Sequence, residues 1–209
     1  MVIYVTRHGE TDYNLQNRYA GSTDIALNSK GIQQAKDLAD KLAVLKFDII
    51  ISSPLSRAKQ TAEIINKSFD VPIVIMDEFS EINVGVYEGL TREEAQTKYP
   101  ETWARLAGRP LDDAPAGGET VMQFDARIAA GLEKLKIEYS ENRLLLVCHG
   151  FTARAINRRL TGLSFKDIDT FTLGNCEIVE YKVFKDLEQA SISSMDFWDN
   201  DIDDEVWNK

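Results

Sequence analysis

The residues with the clearest chemical potential in this 209-residue chain are its two histidines, because each directly follows a strand-like apolar run. His8 comes after the run that begins at residue 2, and His149 comes after residues 144–147. In an open α/β sheet, ligands bind outside the carboxyl ends of the strands, so we expect both imidazoles at that edge. A glycine follows each histidine, which lets the backbone turn sharply or approach a ligand closely.

Two arginines and a glutamate accompany the histidines. Arg7 precedes His8, Arg57 lies in the first turn of a helix expected after the second strand, and Glu81 follows the third strand. The helix N-terminus at Arg57 should present free N–H groups and the positive end of the helix dipole, both of which favour an anion.

These side chains suit phosphoryl transfer, which needs a nucleophile, cations for the phosphate oxygens and an acid for the leaving oxygen. Either histidine can attack to give a phosphohistidine. Arginine guanidinium groups bind phosphate through paired hydrogen bonds and oppose the protonation of a nearby histidine. Glu81 can protonate the departing alkoxide and then activate water. The spacing alone does not decide which histidine attacks, nor whether these groups meet.

Strand-like and helix-like segments alternate along the chain and must position these groups. The helical segments carry apolar residues on one face, and the strand-like segments are continuously apolar, as in a sheet covered on both faces. We therefore predict an α/β fold, a three-layer sandwich with a mostly parallel central sheet and helices on both faces. The expected strands are residues 2–5, 47–51, 71–76, 144–147 and 178–184, and the expected helices are 31–45, 54–67, one starting after Thr91, 120–139 and 151–160.

Residues 77–120 break the alternation with three prolines and a Gly-Gly pair. We expect a helical and loop insertion there, over the carboxyl edge of the sheet, where loops commonly select the substrate. Residues 1–184 are predicted to be one domain, and residues 185–209 an acidic C-terminal extension. Three tryptophan and phenylalanine residues in that extension leave its docking on the body or on a second subunit open.

The charge and composition exclude several function classes. The formal net charge is −10, which disfavours binding to nucleic acid or to an anionic membrane. No apolar run approaches the roughly 20 residues that span a bilayer, and the N-terminus lacks a signal-peptide pattern. Cys148 and Cys176 are too few for a disulfide framework, so we expect free thiols and a cytoplasmic location. Cys148 and His149 should face opposite sides of a strand, which argues against a cysteine hydrolase.

Further residues extend the pattern around these side chains. They are Val5-Thr6-Arg7-His8-Gly9-Glu10-Thr11 with Asn14, Arg18 and Gly21; Ser52-Ser53-Pro54-Leu55-Ser56-Arg57-Ala58 with Thr61; Glu81 with Gly85 and Glu88-Gly89; Gly117-Gly118-Glu119-Thr120 with Arg127; Val147-Cys148-His149-Gly150; and Asn175-Cys176. In this order, over roughly residues 1–184, the chain resembles the histidine phosphatase superfamily, also called the phosphoglycerate mutase-like family.

The resemblance implies roles for individual residues. His8 is the phosphorylated nucleophile, His149 stabilises the transferring group, and Glu81 is the proton donor. The expected phosphate and substrate contacts are Arg7, Asn14, Gly21, Arg57, Glu81 and Gly150. Asn14 has the alternative of only capping a turn. The family needs no metal for catalysis, so no cofactor is expected, and arginines flanking the histidines would repel a cation. The implied partner is a small phosphorylated substrate, with a homodimer as a further possibility.

Hydrolase and mutase are separated here by the residues after Glu81. Cofactor-dependent mutases of the family usually continue into Arg-His-Tyr-Gly, whereas this chain continues into the uncharged residues 82–85, which favours a phosphatase. A phosphoglycerate mutase stays an alternative, because four cations of the insertion can still reach a second phosphate: Arg92, Lys98, Arg105 and Arg109. A third alternative is a sensor of phosphorylated ligands, which would need the arginines but neither His8 nor Glu81.

Overall fold

A six-stranded sheet forms the centre of the molecule in a computed structural model that describes residues 1–108 and 110–183 and the backbone of residues 191–193. The strands are β1 (Val2–Arg7), β2 (Ile49–Ser52), β3 (Ile73–Ile75), β4 (Arg143–Cys148), β5 (Ile178–Lys182) and β6 (Ser191–Ser193). The α-helices are α1 (Asp12–Leu15), α2 (Ser29–Leu42), α3 (Ser56–Asn66), α4 (Arg92–Lys98), α5 (Pro100–Leu106), α6 (Val121–Glu138) and α7 (Gly150–Thr161).

The strand order is β3-β2-β4-β1-β5-β6, and the first four strands in this order are mutually parallel. β5 runs antiparallel to β1, with Ile178 opposite Thr6 and Lys182 opposite Val2, and β6 is antiparallel to β5. The mostly parallel sheet is therefore confirmed. The reversal of β5 arises because residues 162–177 return the chain to the carboxyl edge of the sheet before β5 begins.

Alternate residues of the central strands supply two separate cores. Ile3 and Val5 of β1 belong to one buried cluster with Phe124 of α6, whereas Tyr4 belongs to the other with Leu38 of α2. Helices α6 and α7 thus cover one face of the sheet, and α2 and α3 cover the other. The three-layer sandwich is confirmed, and burial of the strands on both faces explains their continuous apolar sequence.

Several helix ends follow the local signals in the sequence. Thr91 and Glu94 form a reciprocal capping box at α4, and Thr120 forms another at α6. Gly162 ends α7 with a left-handed φ of 72°. The helix expected from residue 54 begins at Ser56.

The insertion between β3 and α6 contains two 3-10 turns, Asp77–Phe79 and Gly85–Tyr87, followed by α4 and α5. Its residues 85–94 contact the loop after β1 through an ion pair and a backbone hydrogen bond. Arg18 pairs with Glu94 at 2.6 Å, and the backbones of Tyr19 and Gly89 are hydrogen-bonded at 2.8 Å. These contacts join the two segments into one wall beside the carboxyl end of β1.

Most of the predicted C-terminal extension, the last residue of the predicted fifth strand and one predicted cation of the insertion are not described by the structure. Residues 185–209, the predicted C-terminal extension, lie outside the described residues apart from the backbone of β6, as do Phe184 and Arg109. Every helix within residues 1–108 and 110–183 is too short or too polar to cross a lipid bilayer.

Candidate active site

The two histidines meet at the carboxyl edge of the sheet, as the sequence predicts. β1 ends at Arg7 and the neighbouring parallel strand β4 ends at Cys148, so His8 and His149 emerge side by side. Their ring centroids are 5.1 Å apart in an edge-to-face arrangement. This proximity follows directly from the pairing of β1 with β4.

His8 is buried and its ring orientation is fixed by the backbone. Nδ1 lies 2.7 Å from the carbonyl oxygen of Gly9. A carbonyl oxygen only accepts, so Nδ1 carries the proton and Nε2 of the neutral ring keeps its lone pair. Asn175 steadies the residue further, since its Nδ2 donates to the His8 carbonyl oxygen at 2.8 Å.

The environment keeps His8 neutral. Burial lowers its pKa well below the usual 6.5, and the positive charges of Arg57 and then Arg7 lower it further. The sequence predicted the effect of the arginines, but desolvation is the larger cause. An imidazole with a free Nε2 is thus present at neutral pH, which is the form required for attack.

His149 is fully buried and both of its ring nitrogens are engaged. Nε of Arg57 donates to Nδ1 at 3.1 Å, and Nε2 lies 2.7 Å from Oγ of Ser53. Because an arginine nitrogen only donates, Nδ1 is unprotonated and Nε2 donates to the serine. His149 lies behind the described pocket surface rather than in its lining. In this geometry it holds Arg57, and the stabilisation of the transferring group that the resemblance implies for His149 stays a prediction.

Arg57 is a buried cation in the lining of the pocket. Besides the bond to His149, its Nη1 and Nη2 donate to the carbonyl oxygens of Thr23 and Gly21, each at 2.8 Å. Three of its five N–H groups are used in these contacts, which leaves two for an oxyanion. Burial lowers its pKa to about 10, so the guanidinium is still charged at neutral pH. Arg7 lines the same pocket and donates to the carbonyl oxygen of Leu173 at 3.3 Å.

One expectation for the helix of Arg57 is wrong. The backbone N–H of Ser56, at the start of α3, donates to Oδ1 of Asp24 at 2.6 Å, and the Ser56 hydroxyl donates to Oδ2 at 2.7 Å. A carboxylate of this protein therefore already occupies the N-terminus that the sequence offered to an anion. The contribution of α3 to the pocket is therefore the side chain of Arg57, not the backbone N–H groups at the start of the helix.

Glu81 lines the pocket and its carboxylate is held by three donors. The N–H of Ile82 donates to Oε1 at 2.9 Å, and the N–H of Phe151, in the first turn of α7, donates to Oε2 at 3.0 Å. Oγ1 of Thr152 lies 3.3 Å from Oε1 and shares its single proton between Oε1 and the Ser80 carbonyl oxygen. The carboxyl group thus has a defined orientation at the boundary between the insertion and α7.

Three smaller contacts proposed from the sequence also line the pocket. Asn14 does cap α1, because its Oδ1 accepts from the N–H and the hydroxyl of Thr11, at 3.1 and 3.0 Å. Its Nδ2 is then the group that can donate to an oxyanion. Gly21 has a left-handed φ of 50°, and its carbonyl oxygen holds Arg57. Gly150 is not sterically required, since an added Cβ would meet Arg7 at an ordinary 3.6 Å.

The pocket around these groups has a volume of about 140 Å³, smaller than the roughly 300–1,000 Å³ of typical ligand sites. The charged groups described above line it together with aromatic and aliphatic residues: Tyr13, Tyr19, Ile82, Val84, Phe151 and Leu173. The lining thus combines cations and a carboxyl group with apolar side chains.

The further arginines around the pocket are paired with carboxylates. Arg18 pairs with Glu94 at 2.6 Å, and Arg154 pairs with Asp169 at 2.8 Å. The cations of the insertion lie outside the described lining: Arg92 packs over Trp103, Lys98 over Tyr99, and Arg105 pairs with Asp113. Arg109 is outside the described residues. The groups expected to reach a second phosphate are thus engaged elsewhere or not described.

Several residues of this site were not predicted from the sequence. Ser53 was part of a motif but received no role, and Arg154 and Thr172 were not considered at all. Arg154 follows His149 by five residues on α7, a spacing that could have been noticed. Thr172 and Leu173 precede β5 and reach the pocket only because β5 is antiparallel.

The cysteines contribute no nucleophile to the site. Cys148 is a buried free thiol packed in the core, and burial raises its pKa far above the usual value. Cys176 is also a free thiol, with its pKa raised to about 12 by burial. Among the residues that the structure describes, no group of three or more His, Cys, Asp or Glu is arranged to hold a metal ion.

Comparison with known proteins places this site in a family. The family model described as "Histidine phosphatase superfamily (branch 1)" matches residues 3–196. The chain is 36% identical over 184 residues to "Uncharacterized phosphatase PhoE" of Bacillus subtilis, covering 86% of this chain and 90% of that protein. It is 34% identical over 184 residues to "Probable phosphoglycerate mutase GpmB" of Escherichia coli O1:K1, covering 86% and 85%.

A solved structure agrees with this assignment. The mycobacterial glucosyl-3-phosphoglycerate phosphatase in complex with VO3 superposes with a TM-score of 0.82 at 27% identity, covering 94% of this chain and 98% of that one. The family expected from the motifs around His8, Arg57, Glu81 and His149 is therefore confirmed. The chain belongs to branch 1 of the histidine phosphatase superfamily.

Proposed function

We propose that this protein is a phosphomonoester hydrolase that acts on a small phosphorylated metabolite through a phosphohistidine at His8. The observation that carries the proposal is the 2.7 Å contact from Nδ1 of His8 to the Gly9 carbonyl oxygen, which leaves the Nε2 lone pair available in a pocket lined by Arg7, Arg57 and Glu81. A neutral nucleophile, two cations and a carboxyl group are the parts that the reaction needs.

In the first step, the Nε2 lone pair of His8 attacks phosphorus and forms the N–P bond. Arg57 and Arg7 bind the non-bridging oxygens and stabilise the charge that develops on them. The bond from phosphorus to the ester oxygen breaks as Glu81, in its protonated form, gives its proton to that oxygen. The alcohol leaves, and His8 carries the phosphoryl group.

In the second step, the Glu81 carboxylate removes a proton from a water molecule, and the water oxygen attacks phosphorus. The N–P bond breaks, its electron pair returns to Nε2, and inorganic phosphate leaves. Glu81 is then protonated and His8 is neutral, so the starting state is restored. The three hydrogen bonds on the Glu81 carboxylate keep the same group oriented for both steps.

The pairing of the outer cations supports hydrolysis over mutase activity. A mutase holds a bisphosphorylated intermediate, so a second phosphate needs its own cations. Arg18 and Arg154 both line the pocket, but each already pairs with a carboxylate, and much of the remaining lining is apolar. The relative named a phosphatase supports the same conclusion, whereas the relative named a phosphoglycerate mutase keeps transfer between hydroxyls as the alternative.

A sensor without turnover is a weaker alternative. It would use Arg7 and Arg57 to bind phosphate but would not need a histidine with a free Nε2 or an oriented Glu81.

The aromatic rings of lining residues such as Tyr19 and Phe151 support a substrate whose alcohol part is not highly charged. A cytoplasmic location and a homodimer also stay predictions, to be tested by fractionation and by light scattering.

The test is phosphate release from p-nitrophenyl phosphate and a panel of metabolite monoesters, in the presence of a chelator, with His8→Ala alongside. The same samples are assayed for interconversion of the two phosphoglycerate isomers, with and without bisphosphoglycerate. We expect metal-independent release that His8→Ala abolishes without loss of the fold. Interconversion faster than release would make the protein a mutase. Tight phosphate binding with neither activity would make it a sensor.

A further inference from the structure

Arg127 of α6 lies behind the segment that carries Glu81 and does not belong to the described pocket lining. Its Nη1 donates to the carbonyl oxygens of Glu78 at 2.9 Å and Ser80 at 3.1 Å, and more weakly to that of Asp77 at 3.3 Å. Nη2 lies 3.5 Å from the carbonyl oxygen of Glu81 itself. The Arg127 guanidinium thus binds four backbone carbonyl oxygens of residues 77–81, the segment that ends at the proposed proton donor Glu81.

Two neighbours fix the position of that guanidinium. Glu119 accepts from Nε at 3.0 Å and from Nη2 at 2.8 Å, a bidentate pair with defined geometry. Arg127 also packs over the ring of Phe124, with Cζ 5.1 Å from the ring centroid. Its side chain is 25% exposed and that of Glu119 is 19% exposed, so the pair is mostly shielded from water.

The same turn is held from the pocket side by α7. Oγ1 of Thr152 donates to the Ser80 carbonyl oxygen at 3.1 Å, the same oxygen that Arg127 contacts, and also reaches Oε1 of Glu81. The ring of Phe151, whose N–H holds Oε2, packs 5.3 Å from that of Phe124. Arg127 therefore holds the backbone of the segment that ends at Glu81, and α7 holds the Glu81 carboxylate.

We propose that Arg127, oriented by Glu119, is a positioning residue for the proton donor Glu81; this rests on the hydrolase function proposed above. A displaced carboxyl group would transfer its proton poorly to the ester oxygen as the bond to phosphorus breaks. The loss should depend on the leaving group. A p-nitrophenolate departs readily without a proton, whereas an alkoxide does not, so an alkyl ester should suffer more than an aryl ester.

The test compares kcat/KM for p-nitrophenyl phosphate and glycerol phosphate in Arg127→Met, Arg127→Lys, Glu119→Gln and Glu81→Gln. Glu81→Gln should lose about 10²–10⁴-fold on the alkyl ester and much less on the aryl ester. Arg127→Met should show the same asymmetry, with at least about a tenfold greater loss on the alkyl ester. If Arg127→Met does not fold, Arg127→Lys and Glu119→Gln carry the same comparison.

A double variant separates positioning from general destabilisation. Glu81→Gln combined with Arg127→Met should be no slower on the alkyl ester than Glu81→Gln alone, since both changes act through one group. Arg159→Met is the matched control, because Arg159 also pairs with a carboxylate, Asp125, and lies outside the described pocket lining. It should leave the ratio of the two substrates unchanged.

Equal loss on both esters in the Arg127 variants, or full additivity with Glu81→Gln, would overturn the positioning role while leaving the hydrolase intact. The wild-type enzyme and His8→Ala are measured in the same series. Absence of His8-dependent hydrolysis in the wild type would overturn both proposals, so the two failures are distinguishable.

Discussion

Nε of Arg57 donates a hydrogen bond to Nδ1 of His149 over 3.1 Å, which ties the buried cation of the site to the second histidine. The bond fixes the tautomer of His149, and its remaining proton points to Oγ of Ser53 at 2.7 Å. Ser53, His149 and Arg57 therefore form a chain of donors and acceptors that ends at the guanidinium proposed to bind phosphate.

Ser53→Ala should lower the free energy of unfolding by about 1–3 kcal/mol, because Nε2–H of His149 is left buried without its acceptor. Loss of that contact should also loosen Arg57 and weaken inhibition by inorganic phosphate. Urea unfolding and the inhibition constant for phosphate measure the two effects. Ser52→Ala is the control, since the Ser52 hydroxyl bonds the Ser53 carbonyl oxygen instead. Equal phosphate inhibition in both variants would contradict the role of Ser53.

Gly21→Ala should reduce both stability and activity. Gly21 has a left-handed φ of 50°, and an added Cβ would overlap the carboxylate of Glu88. Relief of this overlap displaces the Glu88 carboxylate from Ser22 and Thr23 or shifts the Gly21 backbone, whose carbonyl oxygen holds Nη2 of Arg57. The left-handed conformation alone costs about 1–2 kcal/mol for alanine.

Gly117→Ala separates the cost of a left-handed alanine from the effect on the Arg57 contact. Gly117 also has a left-handed φ, 75°, but no atom lies within 4 Å of an added Cβ. This variant should lose stability and keep kcat/KM for p-nitrophenyl phosphate, whereas Gly21→Ala should lose both. A fully active Gly21→Ala enzyme would show that the Gly21 carbonyl is not needed to hold Arg57.

The free energy of unfolding should fall as the pH drops below about 6.5. Burial lowers the pKa of both His8 and His149 well below 6.5 in the folded state, whereas the unfolded chain titrates near that value. Between the two pKa values the unfolded state binds more protons, so stability is lost on acidification. Each histidine contributes a slope of about 1.4 kcal/mol per pH unit.

His8→Asn tests this assignment. Urea unfolding between about pH 6.5 and 5, above the main carboxylate range, should give a slope smaller by about 1.4 kcal/mol per pH unit than in the wild type. Identical slopes would mean that His8 is not held neutral by the fold.

The thiols should be unreactive in the native protein. Burial raises the pKa of Cys148 and of Cys176, and the thiolate is the reactive form. Iodoacetamide should therefore label neither residue at neutral pH without denaturant and both in urea, as followed by intact mass. Rapid native labelling of Cys148 with loss of activity would reopen the cysteine hydrolase interpretation.

Much of the site could be predicted because strand ends are readable from the sequence. His8 and His149 each follow a continuous apolar run, and the pairing of β1 with β4 brings them together. Arg57 and Glu81 follow the next two strands in the sheet by the same logic. The two cores and the helices on both faces likewise follow from apolar periodicity.

Other features depend on contacts between distant residues and leave no local pattern. Asp24 occupies the N-terminus of α3 from 32 residues away, so the helix start alone suggested a free anion site. The antiparallel direction of β5 depends on the path of residues 162–177, which contains a 3-10 turn but no α-helix. The pairing of Arg154 with Asp169 depends on side-chain conformation, which periodicity does not specify.

The most direct test of the central claim is to trap the phosphoryl group on the enzyme. Wild-type protein is mixed with a radiolabelled phosphomonoester, quenched in alkali within one turnover, and digested for peptide mapping. We predict an acid-labile, alkali-stable label on the peptide that contains His8, formed and lost at rates compatible with turnover and absent in His8→Asn. Turnover with no label on His8, or with the label on His149, would contradict the proposed mechanism.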